Sequence, residues 1–207
     1  MIKTITFDFG GVLYHYDGDV LLNALSGNSD IGLEDFRNLM AGSTLDRRHF
    51  RGELKAAELL EILREEVGLS LTEEELAEAY ADSVEPNEEV FRLVRILEGD
   101  YNLQLYSDTP EILYEKVIKN MPVIDKFSAV TLSFELGELK DSPRGYRDVI
   151  EKSNNAPEEI VFIDDRKEYT DRARELGIKG IQFRGVKKLV NSFEDLGIKI
   201  DGKLSLQ

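Results

Sequence analysis

"ITFDFGGVLY", Ile5 to Tyr14, is the stretch on which the reading of this chain turns. A short apolar run carries one carboxylate, Asp8, and then meets two glycines, Gly10 and Gly11. A brief apolar run bounded by glycine reads as a buried strand. In parallel α/β sheets, ligands bind beyond the carboxyl ends of the strands. A charge at that end is therefore a candidate site group, and glycine lets backbone approach what binds there.

Working outward, four further runs have the same character: "LQLYS" at 103–107, "AVTLS" at 129–133, "IVFID" at 160–164 and "GIQF" at 180–183. Helical patterns lie between them. "EEVFRLVRILEG" repeats apolar residues at Val90, Leu93, Val94 and Leu97 and stops at Gly99. "PEILYEKVIKN", "PRGYRDVIEKS" and "YTDRARELG" follow the same logic. Strands alternating with helices predict a parallel sheet covered on both faces.

Residues from Tyr16 to Pro86 read differently. "DGDVLLNALSG", "GLEDFRNLMAG", "LKAAELLEILREEVG" and "TEEELAEAYADSV" are helical, with almost no strand signal. Thr72 followed by Glu75 fits a capping box. An all-helical insertion after the first strand is expected. The tail after Gly197 carries no decisive pattern.

Composition narrows the function. The 207 residues carry a formal net charge of -15, from 41 acidic and 26 basic residues. Such a surface repels nucleic-acid phosphates and anionic lipid heads, so neither nucleic acid nor membrane is an expected partner. An anionic ligand needs a local positive group or a bound cation. There is no cysteine, which removes disulfides and thiolate chemistry, and the two histidines, His15 and His49, are too few for a histidine metal site. No apolar stretch approaches the ~20 residues of a membrane helix. The start of the chain does not read as a signal peptide, and a cytoplasmic location is expected.

The polar residues at the strand ends form a set. Asp8 sits late in the first run, Ser107 and Asp108 close the second, Asp164 and Asp165 close the fourth, and Lys140 lies in "GELKDSP" after the third. In one sheet they meet at one edge. Three carboxylates packed together call for a divalent cation, and oxygen-only ligands suit Mg²⁺. The cation and Lys140 would draw in a phosphate. Ser107 and nearby backbone N–H groups would hold its oxygens, and Asp8 would attack. Each residue also has a plainer reading: a turn-forming or helix-capping aspartate, a solvated lysine. The order of all four segments together favours the joint reading.

The segments "FDFGGVL", "LYSDT", "GELKDSP" and "FIDD" resemble those of the haloacid dehalogenase superfamily of phosphatases and related hydrolases. "FRGELKAAELLEIL", Phe50 to Leu63, is similar to a cap segment in the subgroup containing sugar-phosphate phosphatases and the N-terminal domain of soluble epoxide hydrolase. The resemblance implies a Rossmann-like α/β core of strand order 5-4-1-2-3, formed by residues 1–15 and 87–207, with a helical cap at 16–86. It makes Asp8 the nucleophile, Ser107 the phosphate-binding hydroxyl and Lys140 the neutralising lysine. Gly10, Gly11 and Asp108 join Ser107 and Lys140 around the substrate. Asp8, Asp164, Asp165 and the Gly10 carbonyl become the Mg²⁺ site. The implied activity is hydrolysis of a small phosphorylated metabolite through an aspartyl-phosphate on Asp8.

Three positions depart from the family pattern. The general acid/base aspartate usual two residues after the nucleophile is Gly10 here. Only the second of two usual prolines, Pro143, follows Lys140, and Tyr169 stands where asparagine is common. Gly10 supports an alternative, a non-catalytic or regulatory binding protein on the same fold. A phosphoacceptor receiver domain takes its paired acids from the first strand, whereas "DD" comes last here. A dehalogenase would need no metal. His15 could supply the missing acid, or serve as a hinge histidine. Asp17 and Asp19 could tune the site or stand as solvated loop acids. Arg47, Arg48 and Arg51 could meet an anionic substrate or pair with nearby glutamates. Tyr14 and Tyr16 could line a pocket or pack a hinge.

Overall fold

The computed structural model describes residues 1–40 and 43–200. The last two residues of the expected 32–42 helix and the end of the tail after Gly197 lie outside the described residues. Among the described residues seven strands form: β1 (Thr4–Phe7), β2 (Tyr14–Tyr16), β3 (Val84–Pro86), β4 (Asn102–Ser107), β5 (Ala129–Leu132), β6 (Ile160–Asp164) and β7 (Lys179–Gln182). The main sheet runs β5-β4-β1-β6-β7, and every neighbouring pair in it is parallel. Its five strands, taken in chain order, stand as 3-2-1-4-5, which is the expected order read from the other edge.

Alternate side chains of a strand point to opposite faces of the sheet, and the core is divided accordingly. Ile5, Phe7, Leu105, Val161 and Ile163 belong to one buried cluster. Tyr106, Ile160 and Phe162 belong to another. The first is covered by the helices Glu88–Leu97 and Val186–Asp195, which bury Val90, Leu93, Val94, Leu189 and Phe193. The second is covered by Arg144–Ser153 and Lys167–Glu175, through Tyr146, Val149 and Ala173. Burial on both faces explains why these strands read as continuous apolar runs.

The helical block contains the helices Gly18–Ser26, Leu33–Met40, Thr44–Phe50, Ala56–Val67 and Glu73–Asp82. The Thr72 capping box is present: Glu75 N donates to Thr72 Oγ1 at 3.3 Å, and Thr72 N donates to Glu75 Oε2 at 2.8 Å. Phe36, Leu59, Leu60, Leu63 and Leu76 are buried within the chain's larger core. The expectation of almost no strand in this region needs correction. β2 and β3 pair antiparallel, Tyr14 opposite Pro86 and Tyr16 opposite Val84, so the chain leaves and re-enters the sheet through a two-stranded ribbon. Three-residue strands are too short to show a period of two. The block is also tied to the sheet domain by polar contacts. Ser133 Oγ donates to the Phe50 carbonyl at 2.6 Å, and Lys116 pairs with Glu74 and Glu78 at 2.8 and 2.6 Å. Among the described residues no helix is long and apolar enough to cross a membrane.

Candidate active site

Asp8 follows the last residue of β1, and its N–H continues the ladder by donating to Ile163 O at 2.9 Å. Asp164 ends β6, and Asp165 follows. Because Phe7 stands in register with Ile163, the two strand ends bring Asp8 beside the acid pair. Lys140 reaches the same point from the loop after β5. Its Nζ lies 2.6 Å from Asp8 Oδ1 and 2.7 Å from Asp164 Oδ2. Lys140 is 1% exposed and Asp164 fully buried. The rings of Tyr106, Phe162 and Tyr169 surround the ammonium, with centroids 5.2, 5.4 and 5.5 Å away. Two backbone donors fix the carboxylates: Phe9 N to Asp8 Oδ1 at 2.7 Å and Arg166 N to Asp164 Oδ1 at 2.9 Å.

The charges do not balance. Asp8, Asp164 and Asp165 each offer an oxygen within 4.8 Å of the others, and one ammonium pairs with two of them, Asp8 and Asp164. Burial pushes the Asp8 carboxyl well above its ordinary range; Lys140 opposes this, while Asp164 and Asp165 add to it. Asp165 is also raised, first by burial and then by Asp164. Burial acts to lower Lys140, but Asp164, Asp8 and Asp108 outweigh it and hold the lysine protonated. Surplus negative charge on a set of hard oxygen donors fits a divalent cation of the Mg²⁺ type.

The two glycines differ in what they allow. A Cβ on Gly11 would lie 2.5 Å from the Asp165 carboxyl carbon, at a φ of +76° that side chains rarely adopt. Gly11 thus makes room for Asp165, and its own N–H is already bonded to Tyr14 O at 2.7 Å. A Cβ on Gly10 meets nothing closer than Tyr16 Cβ at 4.0 Å. Gly11→Ala is therefore expected to displace the Asp165 carboxylate and weaken Mg²⁺ binding at least about tenfold, whereas Gly10→Ala leaves it within a few-fold. Calorimetric titration checks this, and equal affinities in the two variants would refute the steric account.

A cavity of about 470 Å³ opens over this cluster. Asp8, Gly10, Gly11, Asp108, Lys140 and Asp165 line its sheet side, and Tyr16 of β2 with Asp46, Arg47 and Phe50 of the helix Thr44–Phe50 the opposite side. Ser107 and Asp164 lie behind the wall, at 1% and 0% exposure; Ser107 Oγ is 3.4 Å from Asp108 O. Both Asp108 oxygens accept the Lys140 backbone N–H, at 3.1 and 3.0 Å. Burial pushes the Asp108 carboxyl up to about 6, against the charge and N–H of Lys140.

The remaining residues singled out in the sequence divide cleanly. His15 is exposed on β2 and is not part of the cavity wall. Asp17 caps the helix Gly18–Ser26 by accepting Asp19 N, and Asp19 pairs with Arg37 at 3.0 Å. Arg48 and Arg51 stand 3.8 and 3.9 Å from Glu53. Arg47 enters the cavity and pairs with Asp141, next to Lys140. Tyr14 stacks on Phe9 at 4.6 Å. The Tyr169 ring carries the Arg166 guanidinium at 4.5 Å. Asp46, Phe50, Leu139 and Arg166 line the cavity without having been singled out in the sequence. Asp46 and Phe50 lie on a helix of seven residues, too short for an apolar period; Ser43, which accepts Asp46 N at 3.1 Å, is its one local signal.

The chain is similar to known proteins over most of its length. Residues 2–177 match the model of the haloacid dehalogenase-like hydrolases. The chain is 30% identical over 199 residues to a D-ribitol-5-phosphate phosphatase from Bacteroides thetaiotaomicron, covering 88% of this chain and 92% of that protein. A HAD-family enzyme of the same organism, solved in complex with magnesium and inorganic phosphate, superposes with a TM-score of 0.78 at 25% identity, over 91% of this chain and 99% of that one. The structure of a predicted HAD-like family hydrolase from Porphyromonas gingivalis has the same fold, with a TM-score of 0.83 at 23% identity over 96% and 99%. The chain belongs to the haloacid dehalogenase-like hydrolase family, as an enzyme of its phosphatase group.

Proposed function

We propose that the chain is a Mg²⁺-dependent phosphatase of a small phosphorylated metabolite, with phosphate esters of open-chain sugars and polyols the first candidates. The observation that carries this reading is the cluster of three carboxylates, two of them paired with a buried ammonium, at the floor of a cavity roofed by Tyr16 of β2 and the helix Thr44–Phe50. The substrate class is supported by the relative named for D-ribitol 5-phosphate. Residues 16–86 act as a cap over a core of residues 1–15 and 87–207.

Asp8, Asp164, Asp165 and the Gly10 carbonyl would hold Mg²⁺. Bound there, the ion neutralises phosphate charge and acts as a Lewis acid. Asp8 attacks phosphorus and becomes an aspartyl-phosphate, which water then hydrolyses. Lys140 favours the charged form of Asp8 against burial and aims it, since its Nζ bridges Asp8 to Asp164. Ser107 and the backbone beside Asp108 bind phosphate oxygens. Tyr16, Arg47 and Phe50 face the rest of the substrate and exclude water. This reading locates the enzyme in the cytoplasm.

Phosphate release from D-ribitol 5-phosphate and a panel of sugar phosphates, with Mg²⁺ and with chelator, is the test. Release that requires Mg²⁺ is expected, with at least about tenfold weaker Mg²⁺ affinity in Asp165→Ala by calorimetry. No release from any panel member at saturating Mg²⁺, or unchanged affinity in Asp165→Ala, would overturn the reading.

A further inference from the structure

An alkoxide leaves phosphorus poorly unless a proton reaches it in the transition state, whereas a nitrophenolate leaves without help. With glycine at position 10, that proton must come from elsewhere in the cavity. Asp8 and Asp165 are committed to attack and to the cation. Lys140 is enclosed by three rings and shared between two carboxylates. His15 lies outside the cavity wall. Of the remaining acids, Asp46 stands on the helical block and Asp108 on the sheet, next to Ser107 at the end of β4.

Asp108 has the geometry of a proton carrier. It lines the cavity directly after Ser107, the last residue of β4. Among the described residues it forms no ion pair; Arg47, the nearest candidate from the roof, is held by Asp141. Both of its oxygens accept one N–H, that of Lys140. One oxygen suffices for that bond, so the other can carry a proton without breaking the contact. A neutral carboxyl there also avoids repelling a phosphate dianion. We infer that Asp108 is the acid–base group of the reaction, protonating the leaving ester oxygen in place of the side chain absent at Gly10. This inference rests on the phosphatase reading above.

The step balances. Asp8 Oδ bonds to phosphorus as the ester P–O bond breaks. The electron pair of that bond goes to the ester oxygen, which takes the Asp108 proton and leaves as an alcohol. Water then attacks the aspartyl-phosphate, returns a proton to Asp108 and releases inorganic phosphate, restoring the Asp8 carboxylate.

The groups facing Asp108 are Lys140 and Asp141 from its loop, Asp164 from β6, Arg47 from the roof, and the phenols of Tyr106, Tyr146 and Tyr169. Their balance with burial raises the carboxyl to about 6. The protonated fraction falls as pH rises through that value, so kcat for an alkyl phosphate declines above about pH 6, while kcat for an aryl phosphate does not.

The experiment compares D-ribitol 5-phosphate with 4-nitrophenyl phosphate across pH 5–9, at saturating Mg²⁺, for the whole chain. In Asp108→Asn the alkyl rate is expected to fall about 10²-fold. The aryl rate falls much less, and the alkyl descending limb disappears. Gly10→Asp, for which the backbone has room, is expected to restore alkyl turnover in the Asp108→Asn background. Equal losses on the two substrates, a retained descending limb, or no rescue by Gly10→Asp would overturn the inference in favour of a purely structural clamp on Lys140. The wild-type comparison stands even if a variant misfolds: a flat alkyl profile from pH 5 to 9 also refutes the assignment. Failure of the wild type to hydrolyse either ester would instead sink the phosphatase reading itself.

Discussion

Asp8→Asn is expected to abolish phosphate-ester hydrolysis, lowering kcat by more than about 10⁴-fold, with the fold intact. Loss of the attacking group from a catalytic set acting as a unit has effects of this size. The structure explains why stability survives. Asparagine keeps an oxygen to accept Phe9 N, and Lys140 retains Asp164 as its counter-charge. Burial and the neighbouring carboxylates already disfavour the Asp8 charge, so removing it relieves repulsion inside the cluster. Activity and thermal melting measured on one preparation check both halves. Retained turnover would mean that water attacks phosphorus directly and that no aspartyl-phosphate forms.

Lys140→Met is expected to damage both activity and stability. The thioether has similar length but leaves Asp8 and Asp164 facing each other without a cation, at 7% and 0% exposure. Breaking a buried ion pair by removing one partner costs about 3–5 kcal/mol. The sign of the pH dependence follows. Without the lysine, which opposes the upward push of burial, the folded-state pKa of Asp8 is raised further above its unfolded value. The variant's deficit is then largest at neutral and alkaline pH and shrinks in acid, as protonation removes the repulsion. Mg²⁺ recovers part of the loss, because an ion that binds only the folded state stabilises it. Denaturant melts at pH 5 and 8, with and without Mg²⁺, test this. A pH-independent loss, or none, would show that Lys140 does not neutralise the pair.

Much of the architecture was legible because it rests on local chemistry. Five apolar runs alternating with helical periods define a parallel sheet covered on both faces, since burial on both sides removes polar residues from the strands. The main-sheet strands lie within a residue or two of the runs read from the sequence; Asp8 falls one residue beyond β1. The short ribbon β2–β3 and the helix Thr44–Phe50 were not legible, because three or seven residues hold too few positions to express a period.

The sequence by itself determined which residues stand at the carboxyl edge of the sheet. Asp8, Ser107, Asp108, Asp164 and Asp165 end strands, and strand order then leaves them little freedom. Tertiary structure alone decided how they face one another. It placed Lys140 between Asp8 and Asp164, set Ser107 behind the cavity wall and turned Asp108 onto the Lys140 N–H. It put Arg47 in the cavity while Arg48 and Arg51 turned to Glu53. The difference between Gly10 and Gly11 is of the same kind: adjacent and chemically identical, one has open space and the other an aspartate 2.5 Å from its missing Cβ. Periodicity reports which face of an element is buried. Distances between side chains from strands a hundred residues apart depend on register, twist and loop path, and no local pattern encodes those.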